Sequence, residues 1–357
     1  MELQHYGRGS MPRRLAFVGP YEAAVLDYED PPLQGHQVRV RTELASGKLG
    51  TTTAMFDGGA FRGHVFDQEM RIFLPSDESP RVPTPDAPWN SGTTGVGEVI
   101  EVGAQVTRWR PGDRVFGLMD IREHNVCDEK RIWRLGEVDP YLALCIEPAY
   151  VAFHCIRESH VRYGDSVAVV GLGALGLLAV RMAAQTGVEH LYAVDPLPRR
   201  RAWALDHGAD MVFDPAEVDP ALEIHKLTGG KGVDVAIELS GSYHGLSTAI
   251  RATRVGGTIC SAGFYQREAH DLWLGREWHH NRLTMIVPHG CGWGHPPRDY
   301  PLWDEQRAYD CLASMMHQGK LTAPGLITPV VPLDEAPAIF ELARDDPDQL
   351  IKYAVRL

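Results

Sequence analysis

The stretch SVAVVGLGALGLLAVRMAAQTGVEHLYAVD, residues 166–195, joins two apolar runs through a glycine-rich turn and a helix-forming segment. Val167 to Val170 is a short β-branched run, which is typical of a buried parallel strand. Residues 174–185 have helix-forming composition, and Gly187 beyond them is a residue type that commonly ends helices. Leu191 to Val194 is apolar again, and Asp195 follows it. The stretch therefore predicts a strand-helix-strand unit.

The turn of this unit is predicted to bind the diphosphate of a dinucleotide. It reads Gly171-Leu172-Gly173-Ala174-Leu175-Gly176 and fits the pattern G-x-G-x-x-G. The first glycine allows the tight turn, the second lets a diphosphate approach the backbone, and the third lets helix and strand pack closely. The free N–H groups at the helix N-terminus favour the phosphates. Asp195 lies at roughly the 20-residue spacing of an acid that accepts hydrogen bonds from the adenosine ribose. The alternative is a glycine-rich turn in an α/β domain without a nucleotide.

The composition argues against several classes of partner. A chain of 357 residues is more typical of two domains than of one. Its net charge of −12 argues against a surface for nucleic acid or an anionic membrane. No stretch approaches the roughly 20 apolar residues of a membrane span, and residues 1–10 lack an apolar signal core. The six cysteines contain no C-x-x-C pair, so we expect no disulfide framework, no cysteine zinc site and a reducing cytoplasm.

The sequence changes character near residue 150. Residues up to about 145 predict a β-rich unit with long loops and turns such as Pro111-Gly112-Asp113. From about residue 150, strands alternate with helices, and six strands are predicted, the last at Leu283 to Val287. This rhythm predicts an α/β fold with a doubly wound, six-stranded parallel sheet. A helix at 305–317 and a strand at 351–355 fit neither pattern, and we expect them to return to the first unit.

Five sequence landmarks resemble the medium-chain dehydrogenase/reductase superfamily over nearly the whole chain. They are GVGEVIEVG at 95–103, RPGDRVFG at 110–117, EPAYVAFHCIR at 147–157, GLGALG at 171–176, and the closing segment at 321–343. The resemblance implies a GroES-like catalytic domain of residues 1–149 and 291–357. It also implies a Rossmann NAD-binding domain of residues 150–290. Hydride transfer to or from the nicotinamide of NAD(P) would take place in the cleft between them.

Within this resemblance, Asp195 favours NAD over NADP, because a 2′-phosphate would meet its negative charge. Arg199 to Arg201 favour NADP instead, since arginines can bind that phosphate. In NAD-dependent relatives, however, a basic residue at the place of Arg200 contacts the ribose. The predicted cofactor-binding residues are Gly171, Leu172, Gly173, Ala174, Leu175, Gly176, Asp195, Arg200 and Gly263.

The resemblance also implies a zinc site, and this chain departs from it. Zinc members supply three protein ligands and leave a fourth position open. Leu49 takes the place of the first, a cysteine, and Gly92-Thr93-Thr94 replaces the Gly-His-Glu motif that carries the second. Glu147 matches the third ligand of the polyol dehydrogenases. One ligand of three cannot hold zinc, so we expect no metal. The alternative is a rebuilt site that uses His64, His124 or His154.

Without zinc, hydrogen-bond donors must stabilise the reacting oxygen and supply the proton. Thr51 matches the family's Ser/Thr that relays a proton between the alcohol and the cofactor ribose. Lys48, in the same loop, is a candidate to polarise a carbonyl or to act as acid and base. Glu147 is a candidate to bind substrate hydroxyls, pair with Lys48 or act as base. The ordinary alternatives are a turn-capping threonine, a solvated lysine and a carboxylate in a structural ion pair.

Two stretches are rich in side chains that suit hydroxylated substrates. Residues 61–74 and 276–303 combine aromatic, histidine, arginine and aspartate side chains. Aromatic faces stack on sugar C–H groups, and charged side chains form hydrogen bonds with hydroxyls. The alternative is ordinary loop composition or a subunit interface.

We therefore predict a zinc-independent, NAD-dependent oxidoreductase that interconverts a secondary alcohol and a ketone on a polar, sugar- or cyclitol-like small molecule. One alternative is a zinc-free, NADPH-type C=C reductase. Another is a redox-inactive sensor, or a lyase or epimerase that uses tightly bound NAD in a transient oxidation. We expect a homodimer or homotetramer in the cytoplasm, without a nucleic-acid or membrane partner.

Overall fold

The structure, a computed structural model, describes residues 11–50, 62–78, 81–288 and 300–357. A seven-stranded sheet and a six-stranded parallel sheet organise these residues, together with a three-stranded sheet and a two-stranded hairpin. None of the helices within the described ranges has the length and apolar character needed to cross a bilayer.

Ten strands build the described residues of the N-terminal part. They are β1 (Arg13–Gly19), β2 (Glu22–Asp27), β3 (Gln37–Ser46), β4 (His64–Asp67), β5 (Ile72–Pro75), β6 (Trp89–Asn90), β7 (Thr94–Val102), β8 (Arg114–Gly117), β9 (His124–Asp128) and β10 (Ile132–Arg134). The central strand, β3, is a ten-residue strand whose side chains alternate over much of its length between buried and accessible positions, as a sheet with one buried face requires. It pairs antiparallel with β7 on one side and is also bonded to β9.

The second part alternates helices and strands. Its elements, with the two helices that lead into it, are α1 (Pro140–Ala143), α2 (Ile146–Glu158), β11 (Ser166–Val170), α3 (Ala174–Gln185), β12 (His190–Val194), α4 (Pro198–Asp206), β13 (Met211–Phe213), α5 (Pro220–Leu227), β14 (Val233–Glu238), α6 (Tyr243–Ala252), β15 (Thr253–Ser261), α7 (Glu277–His280) and β16 (Thr284–Ile286). The six strands lie in the order β13-β12-β11-β14-β15-β16, and every pair is parallel. The prediction of a doubly wound, six-stranded parallel sheet is therefore confirmed.

The order of these strands fixes where a ligand is expected. The chain leaves β11 in one direction along the sheet and later returns to its other side with β14, so the strand order reverses between them. A crevice opens at the carboxyl ends of the strands at such a point. The glycine-rich turn follows β11 directly, at this edge.

The remaining elements are α8 (Glu305–His317), β17 (Ile327–Pro332), a short 3₁₀ helix (Leu333–Glu335), α9 (Ala338–Asp345), a second 3₁₀ helix (Pro347–Gln349) and β18 (Lys352–Arg356). The closing strand β18 lies in the first sheet, antiparallel to β3 and parallel to β17. The boundaries between domains at 149/150 and 290/291 remain predictions.

One apolar core continues from the parallel sheet to the helices beside it. The strand β11 is buried along its whole length, because helices cover both faces of a parallel sheet. Helix α2 packs between α3 and α8, and the rings of Tyr150 and Tyr309 stack with their centroids 4.4 Å apart. This packing places the first turn of α2 against the end of β3, where the candidate reacting centre lies.

Candidate active site

The centre of the site is an ion pair between Lys48 and Glu147. Lys48 follows the end of β3, and Glu147 lies in the first turn of α2. The Lys48 ammonium nitrogen is 2.6 Å from Oε1 of Glu147, and the two side chains are 32% and 8% exposed. Oε2 of Glu147 is buried and has no hydrogen-bond partner among the described residues. The pairing that the sequence left as one of several interpretations is thus present, and it leaves one acceptor oxygen for a ligand.

The two other positions of the zinc pattern carry no metal ligand. Leu49 packs against an apolar cluster beside β18. Thr93 is bound to the backbone, since its N–H donates to the Ser46 carbonyl at 2.9 Å. The part of the chain that the structure describes holds no group of three His, Cys, Asp or Glu side chains placed to bind a metal ion. Because an ammonium occupies Oε1 of the one matching carboxylate, this donor set does not fit zinc.

The three histidines considered for a rebuilt metal site contact other groups. Nδ1 of His124 lies 2.6 Å from the Asp30 carboxylate, and Nδ1 of His64 lies 3.2 Å from the backbone oxygen of Arg62. His154 is buried on α2, with Nδ1 3.6 Å from Glu158. Among the described residues, none of these histidines belongs to a group of three side chains that could hold a metal ion.

Sequence reasoning missed Lys352, which lies at the same centre. It is the first residue of β18 and is only 4% exposed, and its ammonium nitrogen donates to the Gly47 carbonyl at 3.1 Å. Burial lowers the pKa of Lys352, while the negative charge of Glu147 raises it and the positive charge of Lys48 lowers it further. A lysine inside the otherwise apolar run Ile351 to Val355 was the available signal.

The loop between β3 and Lys48 is held tightly. A side chain on Gly47 would place its Cβ 2.0 Å from the Ser91 carbonyl and 2.3 Å from the Tyr353 hydroxyl, so only glycine fits. The hydroxyl of the preceding Ser46 donates to the Tyr353 carbonyl at 2.6 Å. Strand β18 therefore fixes the backbone from which the Lys48 side chain extends.

Several predicted site residues lie outside the described residues. Thr51 and the segment that follows it, through residue 61, are among them, as are residues 289–299 of the second polar stretch. Within the described part of that stretch, the Trp303 ring is already in contact with two guanidinium groups. Arg157 and Arg307 each lie 4.1 Å from its centre. The Trp303 ring is thus engaged in cation–π contacts with the protein itself.

The glycine-rich turn has the geometry of a diphosphate cradle. Gly171 adopts φ +89°, and a Cβ there would lie 2.4 Å from the Ser240 backbone nitrogen. A Cβ on Gly176 would lie 1.9 Å from the Gly171 carbonyl, which requires glycine for the contact of turn and helix. A Cβ on Gly173 would meet nothing within 4 Å, and no side chain caps helix α3 there. The turn thus leaves open space at a helix N-terminus, where phosphates bind.

Asp195 connects this turn to the end of β12. One carboxylate oxygen accepts a hydrogen bond from the Leu172 N–H at 2.7 Å and the other from the Leu197 N–H at 2.9 Å. A guanidinium nitrogen of Arg200 lies 3.9 Å from the same carboxylate. Asp195 is 4% exposed, so its charge is held at the turn by these three groups.

The arginine run after Asp195 is engaged with other parts of the chain. Arg199 and Arg200 donate to the backbone oxygens of Gln349 and Leu350, and Arg199 also contacts the Thr328 hydroxyl. Arg201 pairs with Asp214 at 2.9 Å. These contacts tie the start of α4 to the segment that leads into β18.

Gly263 lies at the same edge of the sheet. A Cβ at this position would be 2.4 Å from the Gly241 backbone nitrogen and 2.5 Å from the Glu238 carboxylate. Glu238 ends β14 and accepts a hydrogen bond from the Tyr265 hydroxyl at 2.5 Å, and burial raises its pKa. Gly263 therefore allows the turns after β14 and β15 to approach each other beside the crevice.

Comparison with known proteins agrees with this architecture. Residues 36–141 match the family described as the alcohol dehydrogenase GroES-like domain, and residues 174–302 match the zinc-binding dehydrogenase family. The chain is 32% identical to D-guloside 3-dehydrogenase of Escherichia coli (strain K12) over 349 residues, 96% of this chain and 99% of that protein. The chain belongs to the medium-chain dehydrogenase/reductase superfamily.

Solved structures of similar fold include dehydrogenases with either nicotinamide cofactor bound. A zinc-binding dehydrogenase of Sinorhizobium meliloti with NADP has a TM-score of 0.75 and 19% identity, over 98% of this chain and 100% of that one. An alcohol dehydrogenase of Escherichia coli CFT073 with NADH has a TM-score of 0.74 and 18% identity, over the same shares. This member of the superfamily is an oxidoreductase with a nicotinamide-cofactor fold, and Gly171, Gly173 and Gly176 fit such a cofactor.

Proposed function

We propose that this chain is a zinc-independent, NAD-dependent dehydrogenase that interconverts a secondary alcohol and a ketone on a sugar- or cyclitol-like substrate. The observation that supports it most directly is the Lys48 ammonium, 2.6 Å from the carboxylate that matches a zinc ligand in polyol dehydrogenases. An ammonium is a compact cation with rotatable donors. It can polarise a substrate oxygen as a metal does, and it can also transfer a proton.

Lys48 carries out the proton transfer in this proposal. A bound nicotinamide cofactor, held by the turn of Gly171, Gly173 and Gly176, would supply the hydride chemistry at the alcohol or carbonyl carbon. During oxidation, the Lys48 amine takes the hydroxyl proton as the C–O bond becomes a carbonyl. During reduction, the Lys48 ammonium donates that proton to the oxygen. Glu147 holds the Lys48 nitrogen in place through Oε1 and stabilises its charged form. Thr51 is proposed to relay the proton from there.

The proposed substrate class rests on one hydrogen-bond acceptor, Oε2 of Glu147, and on the proteins to which the chain is similar. Oε2 of Glu147, buried and without a partner in the described residues, would accept a hydrogen bond from a substrate hydroxyl. A sugar ring offers a second hydroxyl beside the one that is oxidised. D-guloside 3-dehydrogenase, to which the chain is similar over nearly its whole length, is named for a position that carries a secondary alcohol in a hexopyranoside.

The preference for NAD rests on Asp195 and the arginines after it. A 2′-phosphate would approach the negative charge of Asp195. Arg199 and Arg201 are held by other residues, and Arg200 lies beside the Asp195 carboxylate itself. We further propose a homodimer or homotetramer in the cytoplasm that acts on small molecules, without a nucleic-acid or membrane partner.

Metal analysis combined with substitution of Lys48 tests the proposal. Purified enzyme should contain zinc far below one equivalent per chain and keep its activity after dialysis against a chelator. The assay uses methyl D-guloside, methyl D-glucoside, myo-inositol and 2,3-butanediol with NAD. Lys48→Met should lower kcat by about 10² to 10⁴-fold, the usual effect of losing a general acid or base.

Lys231→Met, at an exposed lysine just before β14, is the matched control, and its kcat should equal that of the wild type. One equivalent of zinc whose removal abolishes turnover would refute the proposal. NADPH-dependent reduction of enones without alcohol oxidation would indicate a C=C reductase. Cofactor that copurifies, with turnover that needs no added NAD, would indicate a lyase or epimerase.

A further inference from the structure

A second lysine, Lys352, contacts the loop that carries Lys48. Lys352 lies on β18, and its ammonium nitrogen contacts the carbonyl of Gly47 at 3.1 Å. Gly47 directly precedes Lys48, so this contact holds the peptide group from which the Lys48 side chain begins. Lys352 is 4% exposed, which is unusual for a lysine unless it has a defined partner.

The surroundings of Lys352 show why a lysine is buried there. The titratable groups near it are Glu147, Lys48 and the thiol of Cys145, all at the start of α2 or in the Gly47 loop. Cys145 is buried, and its pKa is raised to about 12, so its thiol stays neutral. Glu147 is therefore the negative charge that offsets two lysines. The hydrogen bond to Gly47 then satisfies one of the three donors of the Lys352 ammonium.

Neighbouring groups enclose the loop on both sides of this contact. Gly47 is enclosed by the Ser91 carbonyl and the Tyr353 hydroxyl, which a Cβ would meet at 2.0 and 2.3 Å. The Ser46 hydroxyl is bonded to the Tyr353 carbonyl at 2.6 Å. The Gly47 carbonyl would thus be left buried without this donor if the Lys352 ammonium were removed. A buried carbonyl that loses its donor favours a shift of the peptide, and Lys48 would shift with it.

We propose that Lys352 is a positioning residue for Lys48: by holding the Gly47 carbonyl, it keeps the Lys48 nitrogen where the substrate oxygen reacts. This inference rests on the proposed role of Lys48 and extends it to the strand that closes the first sheet. Lys352 itself does not transfer the proton. Its effect on turnover passes through Lys48, and this separates it from a group that binds the cofactor or stabilises the fold on its own.

A double-mutant cycle in single-turnover hydride transfer tests this inference. Lys352→Met should lower the rate roughly 10- to 100-fold, as is usual for groups that orient a reacting ligand. The Kd for NADH, from fluorescence titration, should stay at the wild-type value. In the Lys48→Met background, adding Lys352→Met should cause no further loss, because residues that act as a unit are not additive. Lys231→Met serves as the control in both backgrounds.

Lys352→Gln separates the hydrogen bond from the charge and provides a second variant if the methionine variant folds poorly. It keeps an N–H donor for the Gly47 carbonyl, and its rate should lie between those of wild type and Lys352→Met. If Lys352→Met lowers the hydride-transfer rate as much in the Lys48→Met background as in the wild type, the inference is overturned and the proposed function stays intact. The inference is also overturned if the only effect of Lys352→Met is a higher Kd for NADH. Wild-type turnover by Lys48→Met would instead overturn the proposed function.

Discussion

At the scale of single residues, Asp195 has a structural role at the glycine-rich turn and a proposed role in cofactor selectivity. Its two oxygens accept hydrogen bonds from Leu172 and Leu197, so it fixes the glycine-rich turn to the end of β12. The same charge faces the place where the adenosine ribose binds in proteins of this fold. Arg200 lies beside it and partly offsets that charge.

Asp195→Ala should therefore weaken NAD binding and shift the preference toward NADP. The loss of hydrogen bonds to a charged group is worth about 1.5–3 kcal/mol, which corresponds to a rise in the Kd for NAD of roughly one to two orders of magnitude. Titration of NADH and NADPH fluorescence would measure both constants. Asp214→Asn, which alters the neighbouring partner of Arg201, is the control. Unchanged affinity for both cofactors would contradict the assignment of Asp195.

At the scale of elements, local signals predicted the structure well, and distant contacts escaped prediction. The turn from β11 into α3 follows from the order of strand-forming, glycine and helix-forming residues within one short stretch. The ion pair of Lys48 with Glu147 could be given only as one alternative, because their elements meet through packing. Lys352 was missed entirely, since its place beside Gly47 depends on the pairing of β18 with β3. Periodicity carries no information about such a pairing.

Two glycines of the turn should respond differently to alanine. Gly173→Ala should leave the stability nearly unchanged, because φ is −67° and a Cβ meets nothing within 4 Å, yet it should weaken NADH binding by filling the cradle. Gly176→Ala should lower the stability, because its Cβ would lie 1.9 Å from the Gly171 carbonyl. Chemical denaturation and NADH titration measure the two effects. Equal stability of the two variants would contradict the packing role of Gly176.

At the scale of the whole molecule, the two large sheets are joined close to the site. Arg199 and Arg200 at the start of α4 reach the segment at 348–350, which leads directly into β18 and Lys352. On the other side of α4, the Trp203 indole donates to the Pro324 carbonyl at 2.8 Å. The helix that follows Asp195 is therefore anchored to the elements that complete the reacting centre.

Arg199→Ala should lower the free energy of unfolding by about 1 kcal/mol, since it removes side-chain hydrogen bonds to Thr328 and Gln349 at an accessible position. It should leave the ratio of kcat/KM for NADP and NAD unchanged, because these contacts keep Arg199 with the protein. Urea denaturation and initial rates with each cofactor provide the two measurements. A selective loss of NADP activity with unaltered stability would show that Arg199 binds the 2′-phosphate after all.

The pairing of β3 with β18 also has a consequence for how the chain folds. The Ser46 hydroxyl and the Tyr353 carbonyl that join these strands are 307 positions apart, whereas the six parallel strands come from one uninterrupted span between them. Contacts between distant parts of a chain form late, because closing a long loop costs entropy before the contact is made. The parallel sheet should thus fold first, and Lys48 and Lys352 should come into place only in the slowest kinetic phase. During refolding, recovery of activity should therefore lag behind recovery of nucleotide binding.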